Sequence, residues 1–279
     1  MRGGEGEGQG CPRQPGANRS EVQVRLRRQQ GNLQRLEPPV EQPRGPLGLQ
    51  AVILAGGRGT RLGRLTQTVP KPMVPVNGKP FLEHEIELLK QNGITDFVLC
   101  IGHLGNQVEN YFENGSKWGV RVRYSYDGPK LMGPAGALKG AEPLLEECFF
   151  VTYGDAYLRT DYRSIMKALL DSGRLGLMAV YENHNRYGRS DVVVRRGYVA
   201  RYDKKGRGRG MDWVNFGVSA FRKHALAFVP SGRECSEEEF YGELIKHDEL
   251  LAFPVKERFY EIGSPGALRE FERFISSQR

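Results

Sequence analysis

The sequence predicts an α/β domain with an open, mostly parallel twisted sheet flanked by helices. Three observations support this prediction. Apolar runs of strand length recur from about residue 50 onward, amphipathic segments of about 10–15 residues alternate with them, and glycine-rich or acidic motifs directly follow two of the runs. Continuous apolar strands that alternate with helices are typical of parallel sheets with covered faces.

Four apolar runs predict buried strands. They are LQAVILA at 49–55, TDFVLCIG at 95–102, CFFVTYGD at 148–155 and LGLMAVYE at 175–182. The segment VRVRYSYD at 120–127 alternates with a period of two, which indicates a strand with one exposed face. Right-handed crossovers bring the carboxyl ends of parallel strands to one edge, so the motifs that follow these runs should meet there.

Helices are predicted between these strands, at 80–93, 104–115, 135–146 and 161–173. In the first of them, Leu82, Ile86 and Leu89 recur at i, i+4 and i+7, which places them on one face. Gly93 is suited to end this helix. His84 lies on the same glutamate-rich segment, and we expect it at the surface.

The pattern changes after residue 185, where a small antiparallel β extension is predicted in the C-terminal third. SDVVVRRGYVARYD, residues 190–203, indicates a hairpin with Gly197 in its turn, and DWVNFGVSAF, residues 212–221, indicates a further strand. A helix from about residue 265 ends the chain.

Residues 1–48 are predicted to be a disordered N-terminal extension, which leaves 49–279 as the folded domain. The first fifty residues contain nine glycines, six prolines and eight arginines but no lysine. Such a composition buries too little apolar surface to offset the entropy lost on ordering. The extension could also be an arm for nucleic acid or a membrane, but we favour simple disorder.

Charge and cysteine content narrow the function classes. The net charge is +8, and residues after the first fifty still have 33 basic against 28 acidic residues. This balance suits an anionic partner, either phosphorylated small molecules, nucleic acid or a membrane surface. The four cysteines show no C-x-x-C spacing, which indicates a reducing compartment. We expect a cytoplasmic protein, since the chain has neither a secretory signal nor an apolar run of ~18 residues.

The most informative stretch is VILAGGRGTRLGRLTQTVPKP at 52–72. It matches neither G-x-x-x-x-G-K-[ST] nor G-x-G-x-x-G, so the two common glycine templates for pyrophosphate are excluded. Its glycines permit positive φ and close backbone approach, and successive N–H groups can form an anion nest. Arg61 can bind phosphate oxygens as a fork, and Lys71 adds a second cation. We therefore interpret the stretch as a phosphate site.

L-A-G-G-x-G-T-R-L followed by L-T and P-K-P resembles the signature of the sugar-1-phosphate nucleotidylyltransferases. LMGPAGALKGA, YGDA and FYEIGSPGALREF, which follow in the same order, resemble further motifs of that family. The likeness covers most of 50–279 and is strongest to mannose-1-phosphate and heptose-1-phosphate guanylyltransferase-like members. It implies a Rossmann-like, GT-A-like fold and an enzyme that uses Mg²⁺.

The resemblance also implies residue roles. It gives catalytic roles to Arg61, Lys71 and Asp155 and metal binding to Asp155 and Glu261. Nucleotide-binding roles fall on Leu54, Ala55, Gly56, Gly57, Gly59, Thr60 and Gly136. Sugar-phosphate contacts fall on Gly154, Lys204, Asn215 and Gly217. A hard cation prefers carboxylate and phosphate oxygens, which agrees with the metal assignment.

Several positions depart from the pattern of the resembling family. Tyr153 stands where many members have Asn, and Pro134 replaces a common Thr. Asp203 and Lys205 replace the Glu and Pro that flank the family's equivalent of Lys204. Glu261 replaces Asp, and its side chain is one methylene longer.

The expected reaction is NTP plus sugar 1-phosphate giving NDP-sugar and pyrophosphate, with a guanylyl or uridylyl group and a hexose or heptose favoured by the resemblance. Two alternatives stay open: a cytidylyltransferase for a phosphorylated alcohol such as phosphocholine, and a non-catalytic sugar-nucleotide-binding homologue. We expect no nucleic-acid or membrane partner. The apolar residues of the terminal segment could form a homo-oligomer surface.

Overall fold

The computed structural model describes residues 48–128, 130–207 and 210–278. The prediction of disorder for 1–48 therefore lies, apart from Gly48, outside the described residues. The strands are β1 (Gln50–Leu54), β2 (Pro75–Val76), β3 (Lys79–Pro80), β4 (Asp96–Ile101), β5 (Arg121–Tyr126), β6 (Cys148–Tyr153), β7 (Ala156–Tyr157), β8 (Gly176–Glu182), β9 (Val192–Arg195), β10 (Tyr198–Tyr202), β11 (Trp213–Arg222), β12 (Leu250–Val255) and β13 (Tyr260–Glu261).

Seven α-helices are found among the described residues. They are α1 (Leu65–Thr68), α2 (Phe81–Gln91), α3 (Gly105–Phe112), α4 (Gly133–Gly140), α5 (Tyr162–Ser172), α6 (Glu237–Lys246) and α7 (Pro265–Ser276). Short 3-10 turns lie at Thr60–Leu62, Lys71–Met73, Ser116–Trp118, Glu142–Leu144 and Lys223–Phe228. Every helix of the described part is too short or too polar to cross a bilayer.

Helices are found at the four predicted places, but the one predicted at 135–146 runs from Gly133 to Gly140 and is followed by a 3-10 turn. Leu82, Ile86 and Leu89 are all fully buried on one face of α2, and Gly93 follows the helix at φ 84°. His84 was assigned wrongly, because the surrounding glutamates obscured the face it shares with the core. Its side chain is buried, its Nε2 lies 2.9 Å from the Val76 carbonyl oxygen, and burial lowers its pKa.

The main sheet has the strand order β5-β4-β1-β6-β11-β8-β12-β10-β9. Its first four strands are parallel, as the alternation of strands and helices predicts. Side chains of β1 alternate between two hydrophobic clusters, so that Ala51 and Ile53 face one helical layer and Val52 faces the other. This half of the molecule is the predicted Rossmann-like α/β sheet.

The other half corrects the expectation of an open, mostly parallel sheet. Strand β11 is antiparallel to both β6 and β8, and β8 and β12 are parallel. The hairpin of β9 and β10 turns at Gly197 as predicted, but Val192 also pairs with Trp213 of β11. This pairing closes β11-β8-β12-β10-β9 into a five-stranded ring. The sheet is therefore mixed and partly closed. The sequence pattern did not indicate this, because the closure depends on pairing between residues that are far apart in the chain.

Candidate active site

A cavity of about 420 Å³ opens at the carboxyl ends of β1, β4 and β6. Parallel strands place their terminal loops at the same edge, which is why motifs about a hundred residues apart meet here. The cavity is lined by Leu54, Ala55, Gly56, Gly57, Gly59, Thr60, Arg61, Lys71, Pro72, Cys100, Asp127, Leu131, Gly133, Pro134, Ala137, Tyr153, Gly154, Asp155, Glu234 and Gly263.

The glycines of the 56–59 turn serve different purposes. Gly59 adopts φ 64°, and a β-carbon there would lie 3.1 Å from the β-carbon of Lys71, so glycine lets that lysine close over the turn. A β-carbon on Gly56 would lie 3.0 Å from Oδ2 of Asp127. Gly57 has neither positive φ nor a close neighbour, and its surroundings are open space. Close packing thus accounts for two of the three glycines.

Side-chain and backbone bonds fix the turn in place. The Thr66 hydroxyl donates to the Gly59 carbonyl at 2.9 Å, and the Leu62 amide donates to the same oxygen at 3.0 Å. Gly154 packs against the turn, because its amide donates to the Leu54 carbonyl at 3.0 Å and a β-carbon there would lie 3.2 Å from that of Ala55. The glycine turn and the YGD turn are therefore one packed unit.

The predicted catalytic residues Lys71 and Asp155 form an ion pair in the cavity wall. The Lys71 side chain is 12% exposed and the Asp155 side chain is 28% exposed. Lys71 begins a 3-10 turn after Pro70, whereas Asp155 follows β6, and only the fold joins them. In such a pair, the carboxylate can bind a cation and the lysine ammonium can neutralise a phosphate.

Glu261 approaches the same place from the last small strand. It pairs with Ala156, the residue after Asp155, and the Ile262 amide donates to the Asp155 carbonyl at 3.0 Å. Its Oε2 accepts the Gly263 amide at 2.8 Å. A β-carbon on Gly263 would collide with the Glu261 carboxylate and lie 3.0 Å from an Arg61 guanidinium nitrogen. The structure thus brings Glu261 close to Arg61 and to the backbone of Asp155, although Glu261 itself does not line the cavity.

Ten of the predicted site residues line the cavity, namely Leu54, Ala55, Gly56, Gly57, Gly59, Thr60, Arg61, Lys71, Gly154 and Asp155. Five do not, namely Gly136, Lys204, Asn215, Gly217 and Glu261. Gly136 lies in α4 behind the wall, where its amide donates to the Cys235 carbonyl at 3.2 Å. Its neighbours Gly133, Pro134 and Ala137 provide the lining instead.

The predicted sugar-phosphate residues lie on the neighbouring five-stranded ring. The Asn215 side-chain oxygen accepts the Gly217 amide at 3.0 Å, and Gly217 adopts φ 96°, where a β-carbon would lie 3.3 Å from the Leu158 side chain. Lys204 donates from Nζ to Glu237 at 3.1 Å. Glu237 also accepts the Tyr153 hydroxyl at 2.7 Å, so a short chain of contacts joins Lys204 to the cavity wall.

Asp127, which was not predicted as a site residue, lines the cavity beside Gly56 of the glycine turn. It directly follows β5, but it lies in none of the motifs that carry the family resemblance, whereas Asp155 was marked by the G-D motif. Burial raises the pKa of Asp127, and a hydrogen bond from the Met132 backbone opposes that shift. Glu234 and Gly263 were also missed: Gly263 lies inside the recognised FYEIGSPGALREF motif, whereas Glu234 lies outside every recognised motif.

A second missed acid is Asp191, which precedes β9. Its Oδ1 accepts the Asn215 amide at 2.9 Å. Burial raises the pKa of Asp191 from 3.8 to about 7, nearby Glu237 adds to the shift, and the Asn215 bond and Lys204 oppose it. Burial likewise raises the pKa of Tyr153 well above its ordinary range, so its hydroxyl remains a donor.

No group of three or more His, Cys, Asp or Glu side chains suited to a metal occurs in 48–128, 130–207 and 210–278. The pairing of β7 and β13 brings the backbone of Glu261 next to Asp155, and two carboxylates with phosphate or water oxygens are a donor set that suits a hard divalent cation. The ammonium of Lys71 already occupies the Asp155 carboxylate, which shows that this position favours a positive charge.

Comparison with known proteins agrees with this architecture. The nucleotidyl transferase family profile matches residues 50–278. The chain is 31% identical over 205 residues to the UTP–glucose-1-phosphate uridylyltransferase of Synechocystis sp., covering 67% of this chain and 52% of the relative. It thus spans about half the length of that relative.

Two shorter relatives are matched almost throughout. The D-glycero-α-D-manno-heptose 1-phosphate guanylyltransferase of Campylobacter jejuni is 30% identical over 218 residues, covering 78% of this chain and 96% of the relative. The crystal structure of HddC from Yersinia pseudotuberculosis complexed with GMP-PN superposes with a TM-score of 0.67 at 27% identity, covering 81% of this chain and 99% of that one. Sequence and fold together show that this chain belongs to the nucleotidyl transferase family.

Proposed function

We propose that the protein transfers a nucleotidyl group from an NTP to a sugar 1-phosphate, giving an NDP-sugar and pyrophosphate, and that residues 49–279 carry this activity. One observation carries the proposal: Arg61, Lys71 and Asp155 meet at one cavity beside a glycine turn with open space at Gly57. Two cations and a carboxylate around such a turn suit the reaction of two phosphorylated substrates, whose charges must be neutralised as they approach.

In the proposed reaction, an oxygen of the sugar phosphate attacks the α-phosphorus of the NTP in line. The bond from that phosphorus to the bridging oxygen breaks, and pyrophosphate leaves with the electron pair. The glycine turn holds the triphosphate, Arg61 stabilises the charge that develops on the pyrophosphate, and Lys71 screens the repulsion between the two substrates. Positioning and charge stabilisation then account for the rate, without a covalent intermediate.

Asp155 and Glu261 are the residues that we expect to hold Mg²⁺. Bound there, the ion would neutralise phosphate charge as a Lewis acid. The proposal is supported by the β7–β13 pairing, which sets Glu261 opposite the residue after Asp155, and by the preference of Mg²⁺ for few carboxylates together with substrate oxygens.

For the nucleotide base we propose guanine. Asp127 supports this choice, because its carboxylate is a hydrogen-bond acceptor that lies beside Gly56 and Gly102. A β-carbon on Gly56 would be 3.0 Å from Oδ2 of Asp127, and one on Gly102 would be 3.3 Å from it. Guanine offers adjacent N1–H and N2–H donors to such an acceptor, whereas uracil offers one N–H flanked by two acceptors. A carboxylate accepts but, when ionised, does not donate.

The test is a matrix of GTP, UTP, dTTP, ATP and CTP against sugar 1-phosphates, read as pyrophosphate release with Mg²⁺. We expect release with GTP and a hexose or heptose 1-phosphate. A matrix row with CTP and phosphocholine tests the cytidylyltransferase alternative. Binding of NDP-sugar with no release in any combination would instead identify a non-catalytic homologue and refute the proposal.

A second test concerns the base alone. The Asp127→Asn variant replaces one acceptor oxygen by a donor, so it should lower kcat/KM for GTP by about 10-fold, the factor of one hydrogen bond to a charged group. The kcat/KM ratio of GTP to UTP should fall by the same factor. An unchanged ratio would remove the support for guanine while leaving the transfer reaction in place.

A further inference from the structure

Glu237 is a buried carboxylate with donors from three separate parts of the chain. Its side chain is only 8% exposed. One carboxylate oxygen accepts the Tyr153 hydroxyl at 2.7 Å, and the other accepts both the Tyr202 hydroxyl and Nζ of Lys204, the latter at 3.1 Å. These donors come from the end of β6, the end of β10 and the loop that follows β10.

Those three segments belong to different halves of the molecule. Tyr153 lines the cavity two residues before Asp155, whereas Tyr202 and Lys204 lie on the five-stranded ring. The backbone amide of Lys204 is also held, since it donates to Oε1 of the adjacent Glu238 at 3.0 Å. At the first turn of α6, charge-assisted hydrogen bonds therefore add to the β6–β11 pairing that joins the two halves.

Burying an ionised carboxylate has a large desolvation cost, which a purely structural contact does not require. Removing such a group from water is unfavourable unless its oxygens are fully paired, and an apolar side chain of similar volume is often at least as stabilising. Glu237 is stabilised by its three donors and by its position in the first turn of a helix, where the peptide dipoles favour negative charge. This arrangement makes its orientation, and that of its donors, well defined.

Of the three donors to Glu237, Lys204 is the one whose ammonium keeps N–H groups for another ligand. Its side chain is 59% exposed, and an ammonium has three N–H groups, so the bond to Glu237 leaves donors for a phosphate oxygen. A lysine without such a partner would sample many rotamers, and their restriction on binding would weaken the affinity for phosphate.

We propose that Glu237 is a positioning residue that holds Lys204 against the Tyr153 wall for the phosphate of the sugar 1-phosphate. This inference rests on the proposed function, but its structural part concerns Lys204 alone. Glu237 does not touch the reacting atoms, and it acts through the lysine. The consequence is an effect on the sugar phosphate that is separable from any effect on the nucleotide.

The kinetic test is a double-mutant cycle of Glu237→Gln, Lys204→Met and both together. We expect Glu237→Gln to raise the KM for the sugar 1-phosphate by about 10-fold, while the KM for the NTP changes by less than about twofold. In the Lys204→Met background, Glu237→Gln should raise the KM for the sugar 1-phosphate no further, because the bond between residues 204 and 237 is already absent. If the two substitutions raise the KM for the sugar 1-phosphate by independent, multiplying factors, the proposal is overturned. An equal rise in the KM for the sugar 1-phosphate and in the KM for the NTP would also overturn it.

The variant Glu243→Gln is the matched control, because it makes the same chemical change on an exposed part of α6. It should leave both KM values unchanged. If Glu237→Gln does not fold, Tyr202→Phe removes one donor from the same carboxylate and should raise the KM for the sugar 1-phosphate alone, by about threefold. An unchanged KM in that variant would count against the proposal.

A measurement independent of activity uses an amine-reactive acetylating reagent on the full chain, followed by mass spectrometry of Lys204 and Lys205. Glu237→Gln should accelerate the labelling of Lys204 several-fold relative to Lys205, because a bonded ammonium is protected from reaction. Equal relative rates in both proteins would overturn the inference. If the wild-type protein releases no pyrophosphate at all, the proposed function fails, and the labelling still decides whether Glu237 holds Lys204.

Discussion

At the residue scale, the proposed chemistry depends most directly on Asp155. Its carboxylate bonds to Lys71, and its backbone carbonyl accepts the Ile262 amide at 3.0 Å. The backbone bond would persist in an alanine variant, so a substitution isolates the carboxylate. The motif G-D alone marked this residue, but its two partners are 84 and 107 positions away along the chain.

Asp155→Ala should lower kcat for pyrophosphate release by ~10²-fold or more, the loss found when one electrostatic stabiliser is removed. The reason is that both the proposed cation site and the counter-charge for Lys71 are lost. Steady-state kinetics at saturating NTP measure the effect, with circular dichroism to confirm the fold. Turnover near the wild-type value would refute the assignment of Asp155.

Asp191 makes a different prediction, about stability and pH. Its pKa in the folded chain is about 7, above its ordinary 3.8, so the folded state favours the protonated acid. Between these two values the folded state binds more protons than the unfolded state, and stability therefore falls as pH rises through this window. Above about pH 7 the full destabilisation remains.

Asp191→Asn keeps an acceptor for the Asn215 amide and removes the ionisation. The gain in the free energy of unfolding should therefore be larger at pH 8 than at pH 5, by at least ~1 kcal/mol. Urea denaturation at the two pH values measures it. Asp248→Asn, the same change on an exposed side chain, is the control, and an equal gain at both pH values for Asp191→Asn would contradict the prediction.

At the scale of elements, α4 forms the wall of the cavity opposite the glycine turn. It begins at Gly133, which adopts φ 73° directly beside the segment that precedes α6. A β-carbon on Gly133 would lie 2.6 Å from the Cys235 carbonyl oxygen. The helix start is therefore fitted against backbone, which cannot move aside as a flexible side chain can.

Gly133→Ala should lower the free energy of unfolding by about 2–4 kcal/mol, which combines the strain of positive φ with the collision. Gly128→Ala is the matched control, because Gly128 adopts φ 75° with nothing within 4 Å. It should lose only about 1 kcal/mol. Urea unfolding curves give both values, and equal losses would show that the close approach carries no energetic weight.

At the scale of the whole molecule, the C-terminal helix is joined to the active site by aromatic packing. The Phe271 ring in α7 lies 4.9 Å from that of Phe81 and 5.0 Å from that of Tyr157. Tyr157 follows Ala156 in β7, and Tyr260 precedes Glu261 in β13. The last helix thus supports the strand pair that brings Asp155 and Glu261 together.

Phe271→Ala should lower the free energy of unfolding by about 3–5 kcal/mol, the range for a large aromatic removed from a core. Leu170→Ala, at a side chain that is 48% exposed, should change it by less than about 0.5 kcal/mol. Thermal and urea unfolding followed by circular dichroism compare the two. A loss for Phe271→Ala as small as that for Leu170→Ala would show that α7 is not part of the cooperative core.

The sequence by itself determined the features that depend on neighbouring residues. Helix periodicity defined α2, and alternation and Gly197 defined the hairpin of β9 and β10. The glycine motif with its cations contains eight of the predicted site residues that line the cavity. Each of these patterns reflects local physics, since side-chain direction, turn conformation and charge are set within a few positions of the chain.

Only the tertiary structure decided what depends on distant pairings. The antiparallel insertion of β11, the closed five-stranded ring, the approach of Glu261 to Asp155 and the joining of Lys204 to Tyr153 by Glu237 all depend on contacts between remote segments. Asp127 and buried His84 belong here as well. A local pattern indicates that a residue is at a strand end or on a helix, but the global packing selects which element covers it, because many pairings satisfy the same apolar face.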